Sequence, residues 1–244
     1  MYVYILIIII LLLIIFISVT LINGYTIAYY INKIYEKYDN KRQEYYKTDI
    51  PWCKTLRKNY LTIKDEYISY NKNNKLKSFK EVDDVQTMID LSDIPWEVVI
   101  LRVYNKDTNN IKYFPKTYEL LSSIPGCSFA MFSVLHSGKI IPEHSGPYKG
   151  ILRYHLALIT PKDNTHCLLT LNGINYIWKE GKDVIFDDTF RHSAINGSTE
   201  SRVVLFLDIK KEFNNLFLNS LNTIFLYLSQ FNKTVSHLVE KVNA

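Results

Sequence analysis

Cysteine is scarce: Cys53, Cys127 and Cys167 are the only three in 244 residues. An odd number at such wide spacing argues against a disulfide framework and against a thiolate metal knuckle, although one pair could form in an oxidising compartment. A strong charge of one sign is also missing. The net charge is +5, and the lysines and arginines are scattered among nearly as many acids. Without a basic stripe there is no electrostatic footprint for nucleic acid, so DNA and RNA are excluded as partners. No internal repeat is visible, and the surplus of Ile, Asn, Lys and Tyr is a compositional bias, not a low-complexity design. Charge is absent altogether before Lys33.

That last absence frames a long apolar run. Tyr2 to Ile22 is almost wholly Ile, Leu and other apolar residues, and roughly 20 such residues span a bilayer as a helix. A cleavable signal peptide would have a shorter apolar region, a basic leader and a better cleavage site than Ser18-Val-Thr20, so the run is expected to be an uncleaved single-pass anchor. The basic residues Lys33, Lys37, Lys41 and Arg42 all follow it, which by the positive-inside rule places the remaining chain on the cytosolic side. The expected organisation is an anchor over 1–24, a polar, Tyr- and Lys-rich juxtamembrane connector over 25–60 with a break at Ile50-Pro51-Trp52, one domain over 61–210 and a C-terminal helix over 211–244.

Beyond Trp96 the pattern changes to short β-rich runs: Val98 to Tyr104, Ser128 to Leu135, Leu152 to Ile159, Cys167 to Leu171, Tyr176 to Trp178, Val184 to Phe186 and Arg202 to Ile209. Turn residues separate them, and Asn172-Gly173 is the clearest hairpin signal, with flanks that also allow a longer loop. The pattern predicts an antiparallel sandwich or jelly roll. From Lys210 onward apolar residues recur every three and four positions, which predicts a helix whose stripe packs on its own sheet in preference to a partner or a membrane.

Within those strands stand residues that bare burial would penalise. Alternation puts Arg153 and His155 on one face with Ala157, Arg202 on one face with Val204 and Phe206, and Ser133 on one face with Met131 and Leu135. Two more histidines, His144 and His192, lie in turns beside strands. One such residue is usually a satisfied core group, and an arginine at a strand start is usually a solvated end. Several converging on one sandwich interior point instead to a cation-lined cavity with neutral imidazoles, suited to a divalent transition metal bound together with a small dianionic acid.

The segments EHSGPYKGILRYHLALITP, WKEGKDVIFDDTFRHSA and SRVVLFLDI, between Phe132 and Asp208, resemble the aspartyl/asparaginyl β-hydroxylase family of iron(II) and 2-oxoglutarate dioxygenases, which includes the bacterial lipid A hydroxylases. The resemblance implies a mainly β double-stranded β-helix, a cupin-like jelly roll with flanking helices, here preceded by one N-terminal transmembrane helix. It implies His144 and His192 as iron ligands, and Arg202, helped by Ser133, as partner of the distal carboxylate of 2-oxoglutarate. Arg153 and His155 correspond to the pair that steadies the cosubstrate near its metal-bound end. A planar, permanently charged fork suits a carboxylate better than lysine would. Fe(II), 2-oxoglutarate and dioxygen follow as the expected cofactor and cosubstrates.

Many relatives complete a facial triad with a carboxylate two residues after the first histidine, but here that position is Gly146. On this residue the chain is closer to the protein hydroxylases than to the lipid A hydroxylases, which carry aspartate. Glu143 points away by alternation, and Asp187 and Asp188 before Thr189 read as turn chemistry. The expected reaction is hydroxylation of the β-carbon of Asp or Asn in a peptide or protein. A membrane-lipid acyl chain is the alternative, motivated by the anchor and the compact length, and an inactive membrane-tethered binding module is a further one. His136 and His166 read as solvated loop residues and His237 as part of the tail. Asn196-Gly-Ser and Asn232-Lys-Thr match the glycosylation acceptor pattern, which an Asn-rich chain produces by chance.

Overall fold

β-Branched and aromatic runs between Trp96 and Lys210 pair edge to edge, entirely antiparallel, into two facing sheets. The computed structural model describes residues 2–83 and 92–244, so the stretch 84–91 of the expected 61–210 domain lies outside the described residues. The chain opens with α1 (Tyr2–Ile22), α2 (Gly24–Tyr38), β1 (Tyr45–Tyr46), α3 (Pro51–Lys58), α4 (Tyr60–Asn73), β2 (Lys77–Ser78) and α5 (Phe79–Val82). It continues through β3 (Trp96–Val103), β4 (Lys106–Asp107), α6 (Pro115–Ser122), β5 (Cys127–Leu135), β6 (Ile140–His144) and β7 (Ile151–Ile159). Then come β8 (Cys167–Leu171), β9 (Ile174–Ile177), β10 (Asp183–Phe186), β11 (His192–Asn196), β12 (Arg202–Lys210), α7 (Leu216–Ser229) and α8 (Lys233–Asn243).

The larger sheet runs β1-β10-β7-β12-β5-β3-β2 with β4 beside β3, and the smaller one runs β6-β11-β8-β9. Alternation along the larger sheet gives it two apolar faces. Tyr154, Leu156, Leu205 and Leu207 point outward and are covered by Leu56, Ile63, Tyr67 and Leu121 of α3, α4 and α6. Met131, Leu135, Ala157, Val204 and Phe206 point inward and meet Ile141, Leu169 and Leu171 of the smaller sheet. This is the jelly roll with flanking helices that the strand pattern predicts, and the inward face is the one on which alternation places Arg202, Ser133 and His155.

Asn172 and Gly173 form a two-residue turn with φ of +50° and +80°, so Leu171 pairs directly with Ile174. The longer loop is not used. All three thiols are free and buried.

Two expectations need correction. The 25–60 connector is an integral part of the domain: α2 packs Ala28, Ile31 and Tyr35 against Tyr148, Phe213 and Phe225, and β1 pairs with β10 at the sheet edge. Its polar composition hid an apolar stripe of short length. The tail is two helices instead of one, because Asn232 leaves the helical backbone and its side chain caps α8 by accepting from the Thr234 N–H. Only α8 joins the inter-sheet core, through Val235 and Val242. At the other end, Tyr4–Ile22 has a mean hydropathy of 3.6 and only 6% of it is buried, a helix long and apolar enough to cross a membrane.

Candidate active site

His144 is the last residue of β6 and His192 the first of β11, and the register sets them directly opposite each other. Their ring centroids are 4.2 Å apart. Both were expected in turns; they are strand termini, on two of the strands that the sequence pattern did not signal. β6 contains Pro142 and has a largely exposed pattern, and β11 is short and polar, so neither carries a β signal of its own. Each imidazole is held the same way: Nδ1 faces the carbonyl oxygen two residues earlier, Pro142 at 2.8 Å and Phe190 at 2.9 Å. A carbonyl accepts only, so Nδ1 carries the proton and Nε2 presents a lone pair, the tautomer a metal needs. Burial lowers the pKa of both rings, and with His144 beside it that of His192 falls to about 3. Both are neutral at physiological pH.

Deeper between the sheets lies Arg202, 2% exposed, with its guanidinium stacked 4.4 Å from the Trp178 ring. Nη2 donates to Ser133 Oγ at 3.3 Å, which also accepts from Trp96 Nε1 at 2.9 Å, while Nε has no partner. No acid pairs with this cation among the described residues, and burial pulls its pKa down to about 10. Beside it His155 is enclosed by Trp178, Phe186 and Phe206, with neither ring nitrogen bonded. Burial and the two neighbouring guanidiniums hold it well below the usual histidine range. A buried, uncompensated guanidinium costs several kcal/mol, and an entering carboxylate would satisfy it. The orphaned donors therefore fit a dianionic cosubstrate.

Arg153 is different. Its Nε and Nη2 grip both oxygens of Asp208 at 3.0 and 3.3 Å, and its Nη1 lies 2.9 Å from Asp188 Oδ2. It also lies 4.4 Å over the Phe206 ring. Its charge is already answered by two carboxylates. The Asp188 contact is close in distance but poorly aligned, since neither Asp188 oxygen makes a directional hydrogen bond. Burial raises the Asp188 carboxyl well above its ordinary range, against the pull of Arg153.

The expectation of turn chemistry for both acids holds for Asp187 alone, which accepts from the Thr189 N–H at 3.0 Å and from Arg42 Nε at 3.1 Å. Asp188 turns inward instead, into the space a side chain at residue 146 would fill. A Cβ on Gly146 would lie 2.2 Å from Asp188 Oδ2, so glycine is required there by the approach of that carboxylate. Nothing local in the sequence signals this, because the two residues meet only through the fold. Glu143 faces outward onto Arg191, as alternation predicts. No group of three His, Cys, Asp or Glu side chains is placed to hold a metal among the described residues. His136, read as solvated, is instead bound by Glu97 Oε2 at 2.7 Å and Ser201 Oγ at 3.0 Å.

Comparison with known proteins places this arrangement among relatives. A profile of the aspartyl/asparaginyl beta-hydroxylase family matches residues 57–212. The ornithine lipid ester-linked acyl 2-hydroxylase of Rhizobium tropici is 37% identical over 164 residues, 66% of this chain and 58% of that protein. Human aspartyl/asparaginyl beta-hydroxylase is 29% identical over 161 residues, 64% of this chain and 20% of that protein. The chain thus spans less than two thirds of either relative. Among solved structures, an oxidoreductase of the 2OG-Fe(II) oxygenase family from Burkholderia pseudomallei aligns with a TM-score of 0.39 at 11% identity, covering 48% of this chain and 67% of that one.

Proposed function

This chain belongs to the aspartyl/asparaginyl β-hydroxylase family, and from that premise we propose that it is an iron(II)- and 2-oxoglutarate-dependent dioxygenase that hydroxylates an unactivated carbon. The observation that carries the reading is the pairing of two metal-ready imidazoles with a buried guanidinium that has no acid of its own. His144 and His192 would hold the iron through Nε2. Iron and 2-oxoglutarate, when bound, supply the oxidation: a C–H bond, 2-oxoglutarate and dioxygen become an alcohol, succinate and carbon dioxide.

The chain's own residues bind and orient. Arg202 and Ser133 receive the distal carboxylate as a fork and a hydroxyl, and the Trp178 ring over the guanidinium shields it from water. His155, neutral and unbonded, is free to donate or accept toward the cosubstrate. Arg153, clamped by Asp188 and Asp208, holds the floor of the site and keeps both carboxylates from repelling each other. The ligand set is intact, which favours an enzyme over an inactive binding module.

Two substrate classes fit the reaction. Gly146 favours the β-carbon of Asp or Asn in a peptide or protein, and α1 with the acyl hydroxylase relative favours a lipid chain. In either case α1 would anchor the domain at a membrane, and Lys33, Lys37, Lys41 and Arg42 favour the cytosolic side. The test is succinate formed from 2-oxoglutarate by the iron-loaded full chain. Turnover that survives His192→Ala would overturn the assignment.

A further inference from the structure

A cavity of about 430 Å³ leads away from His144, Arg153 and Asp188, within the roughly 300–1,000 Å³ typical of ligand sites. Its lining is mostly apolar. The near wall is the inward face of the larger sheet, with Trp96, Phe129 and Phe206. The apolar part of the far wall is made by Ile22 and Gly24 at the α1–α2 junction, Ala28 of α2, Phe225 of α7 and Leu238 of α8, with Ser229, Asn232 and His237 as polar groups among them. Every far-wall residue lies outside the 57–212 segment that matches the family. The catalytic half of the cavity therefore lies in the segment that matches the family, and the distal half is built by the flanks of this chain.

Those flanks also point toward a bilayer. The junction at Ile22 is where the membrane-length helix ends, and Asn232 Nδ2 donates to Thr20 O at 2.8 Å, tying the α7–α8 bend to that end. α7 is apolar on two faces. Leu218, Phe225 and Leu226 pack inward, while Phe217, Ile224 and Tyr227 on the opposite side are 63%, 48% and 59% exposed. A helix with a free apolar face beside a membrane span suits the lipid interface.

Resting on the hydroxylase reading above, we propose that α2, α7 and α8 form an acyl channel: one hydrocarbon chain of a bilayer lipid enters at the α1–α2 junction and extends toward His144. One oxygen atom of dioxygen then enters a C–H bond of that chain and the other leaves in succinate.

The test uses the full chain in nanodiscs made with phosphatidylcholine brominated on its acyl chains, read by tryptophan fluorescence without iron. α1 has no tryptophan, whereas Trp96 lines the cavity. Quenching is expected in the wild type and absent from a Trp96→Phe comparison. Ala28→Phe and Ser229→Phe, which fill the far wall without adding a tryptophan, should weaken quenching on the order of tenfold, the effect of displacing roughly two methylenes. Both should keep 2-oxoglutarate affinity, which certifies the fold. Phe225→Ala should shift quenching toward longer chains. Unchanged quenching in both phenylalanine variants would overturn the channel, as would oxygen found in peptides with lipid untouched. Normal quenching with no succinate formation would leave the channel standing and sink the hydroxylase reading instead.

Discussion

Two arginines beside His155 make opposite demands, and that contrast is the sharpest residue-scale consequence of the structure. Arg202 is buried without an acid, so Arg202→Met should raise the stability of the ligand-free protein while weakening 2-oxoglutarate by on the order of a hundredfold, the effect of losing a charge-assisted fork. Melting and calorimetry on the same preparation separate the two signs; a variant that melts lower and binds normally would contradict the assignment. Arg153→Met should instead destabilise by about 3–5 kcal/mol, because it leaves Asp188 and Asp208 buried without their cation. Gly146→Asp would not rebuild a facial triad. Its Cβ meets the Asp188 carboxylate at 2.2 Å, so iron affinity should fail to rise and the fold should weaken; pairing it with Asp188→Gly should relieve the collision and recover stability. Arg202, Ser133 and His155 were legible from alternation alone, since a polar side chain on an apolar face is visible in the sequence. The inward turn of Asp188 was not, because its cause is a glycine on a distant strand end.

At the scale of elements, the strands that were easy to read are those buried on both faces, such as β5, β7 and β12, whose apolar runs carry their own signal. The strands that bring the two imidazoles together are poor ones by composition, and they exist because their neighbours template them: β11 takes its register from β8 on one side and β6 on the other. Their placement therefore depends on how well the β8–β9 hairpin is set. Gly173, with φ of +80° and open space around its Cα, tests this without a clash. Gly173→Ala is expected to cost about 1 kcal/mol from backbone strain alone, seen as a lower denaturant midpoint with unchanged m-value, and to leave 2-oxoglutarate affinity intact. A loss of affinity larger than the loss of stability would show that the hairpin sets the position of His192 as well as the register of its strand. The tail was misread for a related reason: apolar periodicity runs through Gln230–Asn232 without interruption, and only the cap at Asn232 breaks it.

For the molecule as a whole, enclosing neutral histidines between two sheets makes folding depend on pH in a definite direction. His192 falls from 6.5 to about 3 on folding, and His155 is also held well below its ordinary value. In both cases burial is the first cause, reinforced by His144 or by the guanidiniums of Arg202 and Arg153. A group with a depressed pKa binds its proton more readily in the unfolded chain. Below the unfolded value of 6.5 the unfolded state takes up protons that the folded state refuses, so stability present above that pH is lost progressively as pH falls toward about 3. The ligand-free protein should show a falling melting temperature over this window, steeper than one histidine could produce. His155→Phe removes one contributor and breaks no hydrogen bond, because neither ring nitrogen has a partner, so its melting curve should fall less steeply over the same range. Iron and 2-oxoglutarate bind only the folded state, and the metal competes with protons for the same Nε2 atoms. Saturating both should raise the melting temperature, with the gain shrinking once the pH nears the folded value of about 3 at which His192 takes up a proton. A stabilisation by iron that stayed constant down to the acid limit would place the metal elsewhere than on His144 and His192.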